Sequence, residues 1–130
     1  MTLHIVRFGV PKHHREGLRI GTVRRPPRGV KKADYPARHL YDVWFPNLAP
    51  SEDLLKTFFP ISDDAQWGMF KRKFLTEMRS ATAKRDLELL AALSHETNLA
   101  IGCYCANELR CHRSILRELL ADLGANLHDA

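Results

Sequence analysis

Apolar residues fall into short dense runs in the first part of this chain and into three- and four-residue spacings beyond residue 50. LHIVRF (3–8) and LRIGTV (18–23) are runs of the first kind, set apart by the polar PKHHREG. A strand covered on both faces need not alternate, so each run predicts a buried strand. LYDVWF (40–45), β-branched and aromatic and halted by Pro46, predicts a third.

The helical spacings begin at LAPSEDLLKTFF, where Ser51 suits an N-cap, Glu52 and Asp53 suit the first turn, and Pro60 ends the segment. Ser62 with Asp63 and Asp64 repeats the start signal. The next helix then sets Trp67, Phe70, Phe74 and Met78 on one face, a stripe that belongs in a core. A third helix runs from about Thr82 to His95, with Leu87, Leu90, Ala91 and Leu93 apolar. NLAIGCYC is the last strand and ILRELLADL the last helix, stopped by Gly124. Strands first, then helices, then one strand leading straight into a helix predict an α/β fold. The expectation is one domain over residues 1–130, with a small, partly parallel sheet flanked by helices.

Composition adds little to the fold. At 45% hydrophobic and 27% charged residues in 130, the chain can bury a core without a disulfide or metal. MTLHIVRFGV has no cationic segment ahead of a long apolar run and is interrupted by Arg7, so it reads as a strand rather than a secretory signal. No run suits a bilayer span. Three cysteines, an odd number, fit free thiols in a reducing compartment. The expected setting is cytoplasmic, away from membranes; oligomeric state is left open.

Charge changes the picture more. Residues 1–38 hold ten of the 20 Lys and Arg and two of the 15 acids, carrying +8 against −3 for the rest. Much of this excess lies in RRPPRGVKKADYPARH (24–39), whose three prolines and glycine disfavour regular structure. Arg24, Arg25 and Arg28 in this stiffened loop suit phosphate or carboxylate, which guanidinium forks bind through paired bonds. Tyr35, Tyr41 and Trp44 lie near enough in sequence to stack on a base, although ordinary burial tendencies put Trp44 and Phe45 in the core.

The chemistry-bearing residues concentrate in CYCANELRCHRS (103–114). Alternation along a strand points Cys103 and Cys105 to one side. Asn107 suits an N-cap, and Cys111 and His112 sit one turn before the apolar Ile115 and Leu116 of the last helix. Free backbone N–H groups, the helix dipole and Arg110 or Arg113 at such a corner would hold an anion and lower a thiol pKa. The plainer alternative makes the cysteines small apolar fillers and His112 a satisfied buried imidazole. The spacing disfavours zinc, since adjacent Cys111 and His112 would struggle to meet one ion, and no metal or cofactor is expected. Cys111 to Arg117 spells C-x5-R, but its spacer lacks the glycine that a phosphate-cradling loop normally uses, and Arg117 belongs on the wet side of the helix. G-x-S-x-G, H-E-x-x-H, P-loop and dinucleotide signatures are missing.

VRRPPRGVKKADYP, YDVWFPNLAPS followed by QWGMFKRKFLTEM, and the closing C-x7-C-H-R-S-x-L pattern together resemble the bacterial domain-of-unknown-function family numbered 488. The last pattern falls on Cys103, Cys111, His112, Arg113, Ser114 and Leu116. The resemblance covers nearly the whole chain and implies a small α/β domain in a cytosolic bacterial protein. The chain departs from the family at Val23, where an acid is frequent, and at Cys105, an acid or polar position elsewhere, which marks Cys105 as peripheral.

Three functions remain open. The leading one is an anion-binding cleft in which Arg24, Arg25, Arg28 and Arg113 hold charge and Ser114 with nearby N–H groups holds an oxyanion. The partner is then an anionic small molecule, nucleotide or nucleic acid. The second is an enzyme with Cys111 or Cys103 as nucleophile and His112 as base. The third is a structural or partner-binding module with an inert Cys/His corner.

Overall fold

The computed structural model describes residues 1–128. Its strands are β1 (Leu3–Arg7), β2 (Leu18–Gly21), β3 (Val43–Trp44) and β4 (Leu99–Cys103), and its helices are α1 (Glu52–Phe58), α2 (Asp64–Glu77), α3 (Ala81–Leu93) and α4 (His112–Asp122). The four strands form one sheet in the order β1-β4-β2-β3, and every neighbouring pair is parallel. The α/β expectation holds, and the sheet is wholly rather than partly parallel. All five residues of β4 are buried, as its central place requires, with Ile101 aligned between Ile5 and Ile20.

The main core joins Leu3, Leu99 and Ile101 of the sheet to Phe70 and Phe74 of α2, Leu87 and Leu90 of α3, and Ile115, Leu116 and Leu120 of α4. The α2 stripe thus packs as expected, with the Phe70 ring stacked on Trp67 and Phe74. Each of these first three helices begins at a side chain that accepts an otherwise orphaned N–H. Ser51 takes that of Leu54, Asp63 that of Gln66, and Ser80 that of Ala83. Asp63, not Ser62, caps α2, because Ser62 turns outward and donates to the Gln66 side chain.

The third strand is shorter than its apolar pattern. Tyr41 leaves the sheet to lie over Gly21, where an added Cβ would stand 2.5 Å from its ring, so only glycine fits beneath it. Trp44 corrects the expectation that it fills core: it is 44% exposed, and its indole N–H donates to the Val23 carbonyl at 2.9 Å. Both residues of the short edge strand are exposed, and Phe45, just past it, packs partly buried against the core.

Parallel strands share one carboxyl end. Here the segments leaving β2 and β4 emerge side by side, next to the start of α4. Ligands of open parallel sheets bind at such ends because the connecting segments converge there.

Candidate functional site

Residues after β2 and β4 face each other across a cleft of about 510 Å³. Arg24, Arg25, Pro26, Pro27 and Arg28 form one wall. Cys103, Tyr104, Cys105 and His112 form the other, and Pro50, Leu55 and Phe59 close the side. The proline-bounded arginines and the cysteine corner, some 80 positions apart in sequence, therefore share one site.

The cleft floor is a cluster of sulfur and imidazole. Cys103 Sγ lies 3.7 Å from Cys105 Sγ, and Cys111 Sγ lies 3.6 Å from His112 Nδ1. The donor atoms of Cys103, Cys111 and His112 all lie within 4.8 Å of one another. The expectation that adjacent Cys111 and His112 diverge is corrected. Cys111 is the N-cap in extended backbone and His112 the first helical residue, so the change of backbone direction between them turns both side chains inward. Cys105, expected to be peripheral, joins the cluster and lines the cleft. Asn107 caps only the short 3-10 turn Glu108–Arg110 ahead of α4.

Two contacts orient this floor. His112 Nε2 bonds the Thr22 carbonyl oxygen at 2.6 Å, which makes Nε2 the protonated nitrogen and leaves the Nδ1 lone pair facing the sulfurs. Arg113 is buried; its Nε donates to Cys111 Sγ at 3.4 Å and its terminal nitrogen to the Cys105 carbonyl. No carboxylate pairs with Arg113 among the described residues. The thiols share protons unequally. Hydrogen bonds from Cys103 and Cys105 hold Cys111 well below the usual thiol range despite burial. Bonding to Cys105 and Cys111, together with burial, pushes Cys103 far up. At Cys105 the bond to Cys103 favours the thiolate, but Cys111 and burial outweigh it and raise the pKa.

The expected ligand-binding residues divide into two groups. Arg24 donates to the Pro46, Ala49 and Pro50 carbonyls and so clamps the chain before α1. Ser114 donates to the Cys111 carbonyl at 2.9 Å. With Arg113 engaged as above, the Ser114 hydroxyl and the Nε and one terminal nitrogen of each of Arg24 and Arg113 are taken up inside the protein. Arg25 reaches Glu52 at 2.5 Å across an exposed pair, and Arg28 has no hydrogen-bond or ion-pair partner among the described residues. Tyr41 and Tyr35 pack edge-on at 5.3 Å, Tyr41 in the small core behind the floor, and neither lines the cleft. Arg117 forms a two-bond pair with Glu108 and takes no part in a phosphate loop. Thr22 carries no local sequence signal: it acts through its backbone oxygen, which any residue type supplies.

The family model DUF488-N3a, described as the active DUF488-N3 subclade, matches residues 3–124. The chain belongs to the DUF488 family. YeaO of Escherichia coli (strain K12), an uncharacterized protein, is 26% identical over 123 residues, covering 95% of this chain and all of YeaO. No solved structure matches the chain. Among the described residues no helix is long and apolar enough to cross a membrane.

Proposed function

We propose that this DUF488 chain binds an anionic ligand with an apolar, ring-bearing body, of the nucleotide class, in the cleft between the arginine loop and the Cys/His floor. The observation that carries this reading is the cleft itself, where cationic and apolar surfaces meet. Arg28, with no internal partner among the described residues, and Arg25, whose Glu52 contact is solvent-screened, hold the charge. Pro26, Pro27, Pro50, Leu55 and Phe59 offer the flat apolar walls that a base requires. Arg24, Arg113 and Ser114 shape the site without touching the ligand.

Titration of nucleoside monophosphates and short oligonucleotides, followed by calorimetry at low and high salt, tests this. The expected result is binding that weakens with ionic strength and falls roughly 10- to 100-fold in Arg28→Ala, the loss of one charge-assisted hydrogen bond. Absence of binding, or binding indifferent to both salt and Arg28→Ala, overturns it.

Thiol chemistry on the bound ligand is a second reading, favoured by Cys111 Sγ lying between His112 Nδ1 and Arg113 Nε. Cys111 has no exposed surface, so attack would fall to Cys103 or Cys105, which line the cleft, either one first passing its proton to the Cys111 thiolate and then displacing a leaving group from the ligand. A mass increment on Cys103 or Cys105 after turnover supports it, and full activity in both serine variants overturns it.

A further inference from the structure

Three observations about the cleft floor concern a ligand other than the one in the cleft. The first is distance. Four donors arranged tetrahedrally around zinc, with sulfur at about 2.3 Å and nitrogen at about 2.0–2.1 Å, leave sulfurs about 3.8 Å apart and sulfur and nitrogen about 3.6 Å apart. Cys103 and Cys105 Sγ stand at 3.7 Å, and Cys111 Sγ and His112 Nδ1 at 3.6 Å. Cys103, Cys111 and His112 form the one group of three or more ligating side chains that converges among the described residues.

The second is orientation. A metal-bound imidazole usually donates its far N–H to a carbonyl or carboxylate, fixing the ring and the free lone pair. His112 does this to Thr22 at 2.6 Å, and its Nδ1 faces sulfur rather than solvent.

The third is charge. Arg113 is buried, with no carboxylate partner among the described residues, and its Nε points at Cys111 Sγ. Buried cations are paired. Three thiolates, one divalent cation and one guanidinium sum to zero, so the cluster is neutral when it holds such an ion. Thiolates with imidazole select zinc-like cations over magnesium or calcium, which prefer oxygen.

We propose that Cys103, Cys105, Cys111 and His112 bind one thiophilic divalent cation of the Zn2+ class. Cys103, Cys111 and His112 form the converged set; Cys105, whose half-buried sulfur stands beside Cys103 but outside that set, swings inward to become the fourth donor. The ion joins the end of β4 to the start of α4 and forms the floor of the ligand cleft. The site stands independently of what the cleft binds.

Cobalt(II) added to the full-length chain after chelator treatment tests this. Expected are one Co2+ per chain, visible bands of a tetrahedral site, a near-ultraviolet sulfur-to-cobalt charge-transfer band, and displacement by one equivalent of Zn2+. Cys105→Ser, a half-exposed change that leaves folding intact, should lower the charge-transfer intensity by about a third, the share of one thiolate in three. Cys111→Ser should weaken binding by more than the roughly 10- to 100-fold that losing an outer-shell partner costs. His13→Ala with His14→Ala, remote from the cluster, should change nothing. A folded chain without the charge-transfer band, or with the same band in Cys105→Ser, overturns the four-donor site. A chain that binds nucleotide but lacks the band loses the metal site alone. One that shows the band but ignores nucleotides loses the cleft reading alone.

Discussion

His112 Nε2 lies 2.6 Å from the carbonyl oxygen of Thr22, bonding the first residue of α4 to the residue that follows β2. Thr22 in turn donates its hydroxyl to the Gly102 carbonyl at 2.9 Å, so β2, β4 and α4 are joined at the point where the cleft floor forms. Both residues are buried, and neither bond can be replaced by water without opening the core.

His112→Ala is therefore expected to lower stability by about 1–3 kcal/mol for the stranded Thr22 carbonyl alone, with a further loss from the cavity. Urea unfolding should show a lower midpoint at an unchanged slope. A midpoint equal to that of the parent chain would mean that the bond contributes nothing.

Glu16 and Arg19 form an ion pair with both side chains almost fully buried, and Arg19 also donates to the His39 carbonyl at 2.6 Å. Removing one member leaves the other charge uncompensated. Glu16→Ala should cost about 3–5 kcal/mol, and a paired Glu16→Gln, Arg19→Met variant should recover part of that loss. Thermal unfolding of the three chains measures both effects.

Asp42 accepts from Lys12 and from the Arg19 backbone N–H, each at 2.8 Å. Burial opposes its charge, but these two partners outweigh it and hold the carboxyl below its usual range. A carboxyl depressed on folding contributes stability that is complete above its unfolded value of about 3.9 and fades as pH falls through the folded value. The stability of the parent chain should thus decline below about pH 4 more steeply than that of Asp42→Asn. Parallel acid slopes in the two chains would remove Asp42 from the account.

Phe70 is fully buried among the rings of Phe58, Phe59, Trp67 and Phe74. Truncation to alanine should cost about 3–5 kcal/mol, whereas Leu89→Ala on the exposed face of α3 should stay within about 0.5 kcal/mol. Equal losses at the two positions would contradict the packing described.

The sequence by itself determined the strands, the helices and their order, because burial periodicity and capping are properties of neighbouring residues. LHIVRF, LAIGC and the Trp67–Phe70–Phe74 stripe all fall where their patterns put them. It also marked both walls of the cleft, since prolines, arginines and cysteines are legible one segment at a time. Tertiary structure decided which of those residues are available. Arg24 and Arg113 have the same side chain as Arg28, but carbonyls of the distant segment before α1 hold Arg24, and the Cys105 carbonyl and Cys111 thiol of the folded-back corner hold Arg113. Only folding could bring Thr22 to His112, and with it decide which imidazole nitrogen faces the Cys111 sulfur. That bond joins residues 90 positions apart through a backbone oxygen, which every residue carries and no side-chain pattern can reveal.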